Sequence, residues 1–265
     1  MKVRNAVGLA GLAVLTLSPV SCGKKETALD ADHPSSQPAL PVQPVDLATA
    51  GSIIGTVKLD GLAPKRRKID MTNDSACASA HPGGLLDEAV VADASGDLAN
   101  AVVYVKEGLG DRTFAAPSDP VTIDQKGCMY SPRVVALMVG QPLRVMNSDQ
   151  TLHNVHLVSQ ENRGWNRSQR PGDLAIDTKF DREEVAIPLR CNVHPWMVGY
   201  IAVFKHPYFQ VTGPDGRFEL KDLPPGTYTV EAWHETYGAV SQRVTIGPKE
   251  SKPIILAFKP GAAGG

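Results

Sequence analysis

Residues 191–197 read Cys-Asn-Val-His-Pro-Trp-Met, so a thiol, an imidazole and a thioether stand three residues apart on one short segment. A metal that passes single electrons needs donors acceptable to both of its oxidation states. Soft sulfur favours Cu(I) and imidazole serves either state. Two imidazoles and a thiolate in a trigonal plane, with a weak thioether on the axis, make a mononuclear electron-transfer copper site. The segment supplies Cys191, His194 and Met197, and a second imidazole must come from elsewhere. His153 is the candidate, since it opens the strand-like run His153 to Val158 directly after another, Leu143 to Met146. Alternation along a strand puts His153, Val155 and Leu157 on one face and Asn154 and His156 on the other, so the two histidines do not easily reach one metal. His156 is accordingly a structural or surface residue. Each donor alone has an ordinary reading: a buried thiol, a turn histidine, a packing methionine. It is the combination at this spacing that points to a metal.

One upstream histidine followed by Cys-x2-His-x2-Met, with Pro195 after the second histidine, resembles the cupredoxins, the small blue copper proteins, in their short-looped, amicyanin-like form. The segment Met146 to Val158 (MNSDQTLHNVHLV) carries the likeness upstream, which spans roughly residues 120–205. The resemblance implies a type 1 copper with His153, Cys191 and His194 equatorial and Met197 axial. It implies that Asn154 ties the two ligand-bearing loops by hydrogen bonds near the Cys191 sulfur. It also implies that His194 lies near the surface, ringed by Pro195, Trp196 and Val198 where a redox partner such as a cytochrome or dehydrogenase would dock. The chain departs from the family before the cysteine, where Val185 to Arg190 (VAIPLR) lacks the usual aromatic and places Pro188 and Arg190 in a strand expected to be central.

The elements that must position these residues read as strands. Short apolar or alternating runs occur at 53–59, 101–105, 121–123, 134–139, 143–146, 153–158, 218–220, 228–233, 240–246 and 254–258. Breaks at Asp60-Gly61, Asp215-Gly216, Pro225-Gly226 and Gly247-Pro248 punctuate them, and a short helix is expected near 73–80. Many short strands between turns indicate an all-β sandwich or a pair of them. Residues 211–235 (VTGPDGRFELKDLPPGTYTVEAWHE) resemble the carboxypeptidase regulatory-like, transthyretin-type sandwich, with Gly216 and Gly226 expected at positive φ and Pro224-Pro225 entering the turn. The opening strand of such a domain is absent just before 210 but present upstream as GSIIGTVKLDG at 51–61, followed by AVVYV at 101–105. The expected organisation is therefore a signal segment 1–22, a linker 23–50, an N-terminal β unit 51–118, a cupredoxin Greek-key domain 119–207 and the remaining Ig/transthyretin-like portion 208–260. The last would share one split sandwich with 51–118; three consecutive β units are the alternative.

Lys2 and Arg4 followed by the uncharged apolar stretch Val7 to Val20 form a secretory signal, too short to span a bilayer. It ends at Ser21-Cys22-Gly23, which resembles a bacterial lipoprotein site, although Pro19 stands where leucine is usual; Cys22 is the expected lipid anchor, with simple secretion as the alternative. Residues 23–50, rich in proline, alanine and serine, read as a tether. Export makes a disulfide between Cys77 and Cys128 the natural use of two of the remaining thiols, with Cys191 left for the metal; free thiols, or a Cys77–His81 metal site, are the other readings. Near-balanced charge, 27 Lys+Arg against 28 Asp+Glu, gives no footprint for nucleic acid. The expected function is one-electron transfer in the periplasm or at the cell surface, not enzymatic, because seven histidines without a His-x-His pair do not build a second copper cluster. A carbohydrate-binding-like surface module using Trp165, Trp233 and Tyr237, with copper accessory, and a copper-handling protein are the alternatives.

Overall fold

Strand β1 (Gly51–Leu59) buries Ile53, Val57 and Leu59 and is separated from the next strand by a long excursion that holds the single short helix among the described residues, α1 (Ser75–Ala80). The following elements are β2 (Val102–Glu107), β3 (Val121–Gln125), β4 (Tyr130–Ser131), β5 (Val134–Met138), β6 (Leu143–Asn147), β7 (His153–Leu157), β8 (Trp165–Gln169), β9 (Ile176–Thr178), β10 (Glu184–Arg190) and β11 (Val198–Phe204). The chain ends with β12 (Phe209–Val211), β13 (Arg217–Leu223), β14 (Gly226–His234), β15 (Gly238–Ile246) and β16 (Ser251–Phe258). This computed structural model describes residues 44–261, so the signal segment with Cys22 and most of the linker lie outside the described residues. Among the described residues no helix is long and apolar enough to cross a membrane.

The fold is all-β. Four sheets form two sandwiches. In the first, β13-β1-β16 faces β12-β2-β14-β15; in the second, β5-β11-β10-β7-β8 faces β4-β3-β6-β9. Strand β1 lies between β13 (antiparallel) and β16 (parallel), and β2 lies between β12 and β14, so strands far apart in sequence share one core. That core joins Ile53 and Val57 from β1 and Val103 and Val105 from β2 to Phe218, Tyr228, Val230 and Leu256.

Apolar patterning explains which faces meet. Strands with one solvated face alternate, as β16 does with Ile254, Leu256 and Phe258 inward. The unbroken Val102-Val103-Tyr104-Val105 of β2 and Ile201-Ala202-Val203-Phe204 of β11 are buried on both faces, the pattern of a strand covered on each side. Val102 and Tyr104 leave the first core and pack on Val134, Ala202 and Phe204 of the second sandwich, fusing the two.

Two local expectations are corrected. Residues 46–50, read as the end of the linker, form a turn: Thr49 and Ala50 N–H donate to the Asp46 carbonyl, Lys249 N–H donates to Thr49 O, and Val45 packs on the first core. Gly216 has φ 63° as its turn requires, whereas Gly226 is outside the positive-φ region; the left-handed residue before that turn is Asp222, at φ 55°.

Candidate metal centre

The ends of four connections converge at one end of the second sandwich. His153 begins β7, and Cys191, His194 and Met197 lie on the loop from β10 to β11. That loop is closed by hydrogen bonds from Cys191 N–H to Met197 O (3.2 Å) and Met197 N–H to His194 O (2.9 Å). The β3–β4 connection brings Cys128, the β6–β7 connection brings Asp149, and the excursion between β1 and β2 brings Asp74 and Cys77.

His153, Cys191 and His194 are buried, and their donor atoms all lie within 4.8 Å of one another. His153 Nδ1 is 3.0 Å from His194 Nδ1, and Cys191 Sγ is 3.7 Å from His194 Nδ1. Met197, fully buried, packs in the apolar core that also holds Cys191. The outer nitrogens of both rings face carboxylates: His153 Nε2 donates to Asp149 Oδ2 at 2.8 Å, and His194 Nε2 donates to Asp74 Oδ2 at 3.0 Å. A neutral imidazole has one N–H and one lone pair. With Nε2–H committed to a carboxylate, each Nδ1 is left as a bare acceptor, and two lone pairs 3.0 Å apart repel unless a cation or proton lies between them. Nitrogens about 2.0 Å from a common tetrahedral ion stand roughly 3.3 Å apart, so the spacing suits a shared metal, and the adjacent thiolate makes the set suit copper. Carboxylate–imidazole–metal chains of this kind fix the tautomer and orient the ring.

Without a metal, electrostatics leave a proton in the gap where the ion would sit, on His153 Nδ1. Burial works to raise the Cys191 pKa, but hydrogen bonds from His153 and from the N–H groups of His194, Asn154 and Val193 outweigh it and bring the thiol to about 7. Burial works to lower His153, yet its hydrogen bonds to Asp149 and Cys191 and their charges raise it to about 9. Asp149 stays below the usual carboxylate range: burial pushes it up, and the His153 bond with the N–H groups of Cys128 and Gly127 more than compensates. Asp74 is held low first by the His194 hydrogen bond and then by the Cys77 N–H.

Asn154 joins the two ligand-bearing segments: its N–H donates to Cys191 Sγ (3.3 Å) and its Oδ1 accepts from Asn192 N–H (3.0 Å). Beneath them the buried Tyr130 hydroxyl reaches both Asn154 O (2.6 Å) and Arg190 O (2.9 Å). Its pKa is pushed up by burial and by the neighbouring Cys191. An aromatic thus sits beside the cysteine from β4, not from β10. Pro188 fits β10 because its carbonyl accepts from Val158 N–H (3.0 Å) just past β7, so its missing N–H falls at the end of that ladder. His156 points away from the donors, with Nδ1 3.1 Å from Asn192 Oδ1.

The expectation of a surface-near His194 is corrected. It is 1% exposed, covered by Asp74 and by the disulfide that joins Cys77 to Cys128, with Cys77 Sγ 3.5 Å from Nε2. Trp196 is half-buried, donates from Nε1 to Cys128 O (3.2 Å) and packs against the Met71–Cys77–Cys128 cluster; Pro195 is exposed and Val198 half-buried. This ring therefore borders a covered imidazole, and the chain supplies its own cover. His81 Nε2 lies 2.7 Å from Gly127 O, and its neighbour Cys77 is disulfide-bonded, which removes the Cys77–His81 metal reading. The aromatic residues considered for glycan stacking do not share a surface: Trp233 meets Tyr200 between the sandwiches, Tyr237 stacks on buried His234, and Trp165 lies under Arg167.

Asp74, Asp149 and Tyr130 are the site residues that sequence reasoning missed. Asp149, four residues before His153, was open to notice as a turn carboxylate beside a candidate ligand. Asp74 stands at a helix start, legible as a cap, but its nearness to His194 across 120 positions is a tertiary fact.

No protein-family model matches the chain, and no curated protein matches it in sequence. Its structural neighbours are cupredoxins. A Cu-containing nitrite reductase (NirK) from Thermus scotoductus SA-01 aligns at 20% identity and TM-score 0.31 over 36% of this chain, which spans about a quarter (26%) of that protein. A purple cupredoxin from Nitrosopumilus maritimus aligns at 24% identity and TM-score 0.27, covering 31% of this chain and 98% of its own. A reduced amicyanin variant aligns at 19% identity and TM-score 0.30, covering 39% and 98%.

Proposed function

We propose that the chain is a type 1 copper protein that carries single electrons in the periplasm or at the cell surface. The observation that supports this best is the pair of buried Nδ1 atoms, 3.0 Å apart, each on a ring whose other nitrogen is held by a carboxylate, beside the Cys191 sulfur. His153, Cys191 and His194 would hold the metal, with Met197 as the weak fourth donor. When bound, copper supplies the one-electron couple; the chain's own residues supply a fixed cage. Asn154 and Tyr130 keep the two donor segments in register, and burial of all four candidate ligands excludes water.

The same proposal takes the protein to be an electron carrier without catalytic activity, exported and anchored through Cys22, exchanging electrons with a redox protein. The first sandwich, with its carboxypeptidase regulatory-like turns, would act as spacer or docking module.

Titrating the purified chain with Cu(II) tests the reading. An intense thiolate-to-copper charge-transfer band that saturates at one copper per chain and is abolished by Cys191→Ser is expected. Absence of such a band at stoichiometric copper would overturn it.

A further inference from the structure

The cover over His194 comes from the excursion between β1 and β2, and it is clamped at two places that do not involve the imidazole. Cys77 of α1 is disulfide-bonded to Cys128 and His81 pairs with Gly127 O, while Trp196 packs against its Met71 and Cys77. Asp74, the residue before α1, spends one carboxylate oxygen on the helix: Oδ1 accepts from Cys77 N–H at 2.9 Å. Its other oxygen, Oδ2, accepts from His194 Nε2 at 3.0 Å. Helix capping needs only the first of these bonds. The second places a carboxylate against a ring nitrogen that is otherwise buried beside a disulfide sulfur, where an unpaired N–H is costly.

Asp149 does the equivalent for His153, but from the adjoining loop of the same sandwich, with backbone amides of Gly127 and Cys128 fixing it. The two candidate imidazoles are thus oriented by two carboxylates of different origin. One belongs to the sandwich that carries the donors, and the other reaches in from the excursion between β1 and β2.

We infer that Asp74 is a positioning residue of the metal centre: it holds the His194 ring with Nδ1 turned toward His153 and Cys191, and it sets a negative charge one hydrogen bond from that donor. The inference rests on the copper reading above. Two separable consequences follow. Fixing the ring keeps the donor in place in both oxidation states, which strengthens binding. The charge favours the more positive, oxidised ion, which lowers the reduction potential.

Two substitutions in the full chain separate these effects from helix capping. Asp74→Asn keeps one oxygen to cap α1 but sets an amide NH2, a second donor, where Oδ2 accepted from His194 Nε2, so acceptor and charge are removed together. Asp74→Ser keeps a good N-cap but is too short to reach the ring. Copper affinity by chelator competition, reduction potential, and the His194 Nε2–H resonance of the metal-free chain are compared with wild type. The Asn variant should keep the wild-type thermal midpoint because the cap survives, lose the resonance, bind copper more weakly and show a higher potential. The Ser variant should lose about 10- to 100-fold in affinity, the usual cost of removing such a partner, and lose the resonance to exchange with water. If the Ser variant matches wild type in affinity and potential while wild type shows the thiolate band, the inference is wrong and the copper reading stands. Equal losses in both variants, tracking a drop in thermal midpoint, would also overturn it, because Asp74 would then only shape the excursion. A wild-type chain without the band would end both.

Discussion

Arg133 and Glu235 meet side-on across the two sandwiches, guanidinium Nε and Nη2 at 2.5 and 2.8 Å from the two carboxylate oxygens, with each side chain only 7% exposed. Arg133 stands at the entry to β5 of the second sandwich and Glu235 in the turn after β14 of the first, so the pair spans the seam lined by Trp233 and Tyr200. A buried pair of this kind owes its importance to what happens when it is broken. Glu235→Ala leaves a guanidinium without its counter-charge and should cost about 3–5 kcal/mol, whereas Arg133→Met with Glu235→Leu should recover most of that loss. Denaturant unfolding of the two variants checks this; a loss under about 1 kcal/mol for Glu235→Ala would show that water reaches the pair.

The cover over the candidate metal centre should depend on its disulfide. Cys77 and Cys128 are 51 positions apart, and closing a loop of that length stabilises the fold by about 4 kcal/mol in the chain-entropy account. Replacing both by serine should lower the thermal midpoint and make His194 accessible to solvent, read as faster copper loss to a chelator. A lowered midpoint with unchanged copper loss would mean that Trp196 and His81 hold the cover without the disulfide.

The strands that sequence reasoning located are those with a clear pattern. Tyr228 to Trp233 alternates in part, Ala101 to Val105 is unbroken and β-branched, and Asp215-Gly216 marks a turn. Strands β8 and β9 escaped because they are short and largely polar or exposed, Trp165-Asn-Arg-Ser-Gln169 burying only Gln169 fully. Strand β10 was expected from the resemblance, its pattern interrupted by a bulge at Val185-Ala186 with Ala186 at φ 68°, and β11 went unlocated although Ile201 to Phe204 is unbroken and buried. At the candidate centre, ligand types and order were legible because the metal's chemistry restricts them to a few residues at short spacing. The carboxylates behind the ligands were not, since any aspartate in reach serves and only the fold decides which one is in reach.

Pairing of β1 with β13 and β16, and of β2 with β12 and β14, makes a prediction about autonomy. A fragment of residues 206–261 lacks an inner strand of each of its sheets, exposing unpaired edges and half an apolar core. It should be unfolded or aggregated by circular dichroism and NMR, and adding residues 44–107 in trans or through a linker should restore structure. A folded, monomeric fragment would show that β1 and β2 are accessory to the sandwich.

His234 gives the acid limb of stability a defined origin. Its ring is fully buried, stacked on Tyr237 and near Phe258; Nδ1 accepts from Thr236 N–H at 3.2 Å and Nε2 has no partner. Burial, reinforced by the Arg133 charge, lowers its pKa to about 4, against about 6.5 in an unfolded chain. Above pH 6.5 neither state is protonated and the fold has its full stability. As pH falls from about 6.5 to 4 the unfolded chain takes up a proton that the folded ring refuses, so stability drops by about 1.4 kcal/mol per pH unit, about 3 kcal/mol in all. Below pH 4 both states are protonated and this contribution to the slope ends. His234→Phe preserves the stack, removes the unpaired buried Nε2–H and releases the Thr236 N–H of an exposed residue. Whatever its offset at pH 7, the variant should gain about 3 kcal/mol on wild type between pH 7 and pH 4. His206, also lowered by burial, contributes to the acid limb of both proteins and cancels in the difference. Denaturant unfolding at half-unit steps from pH 7.5 to 4 measures that difference; parallel curves would mean that His234 takes up its proton without resisting the fold.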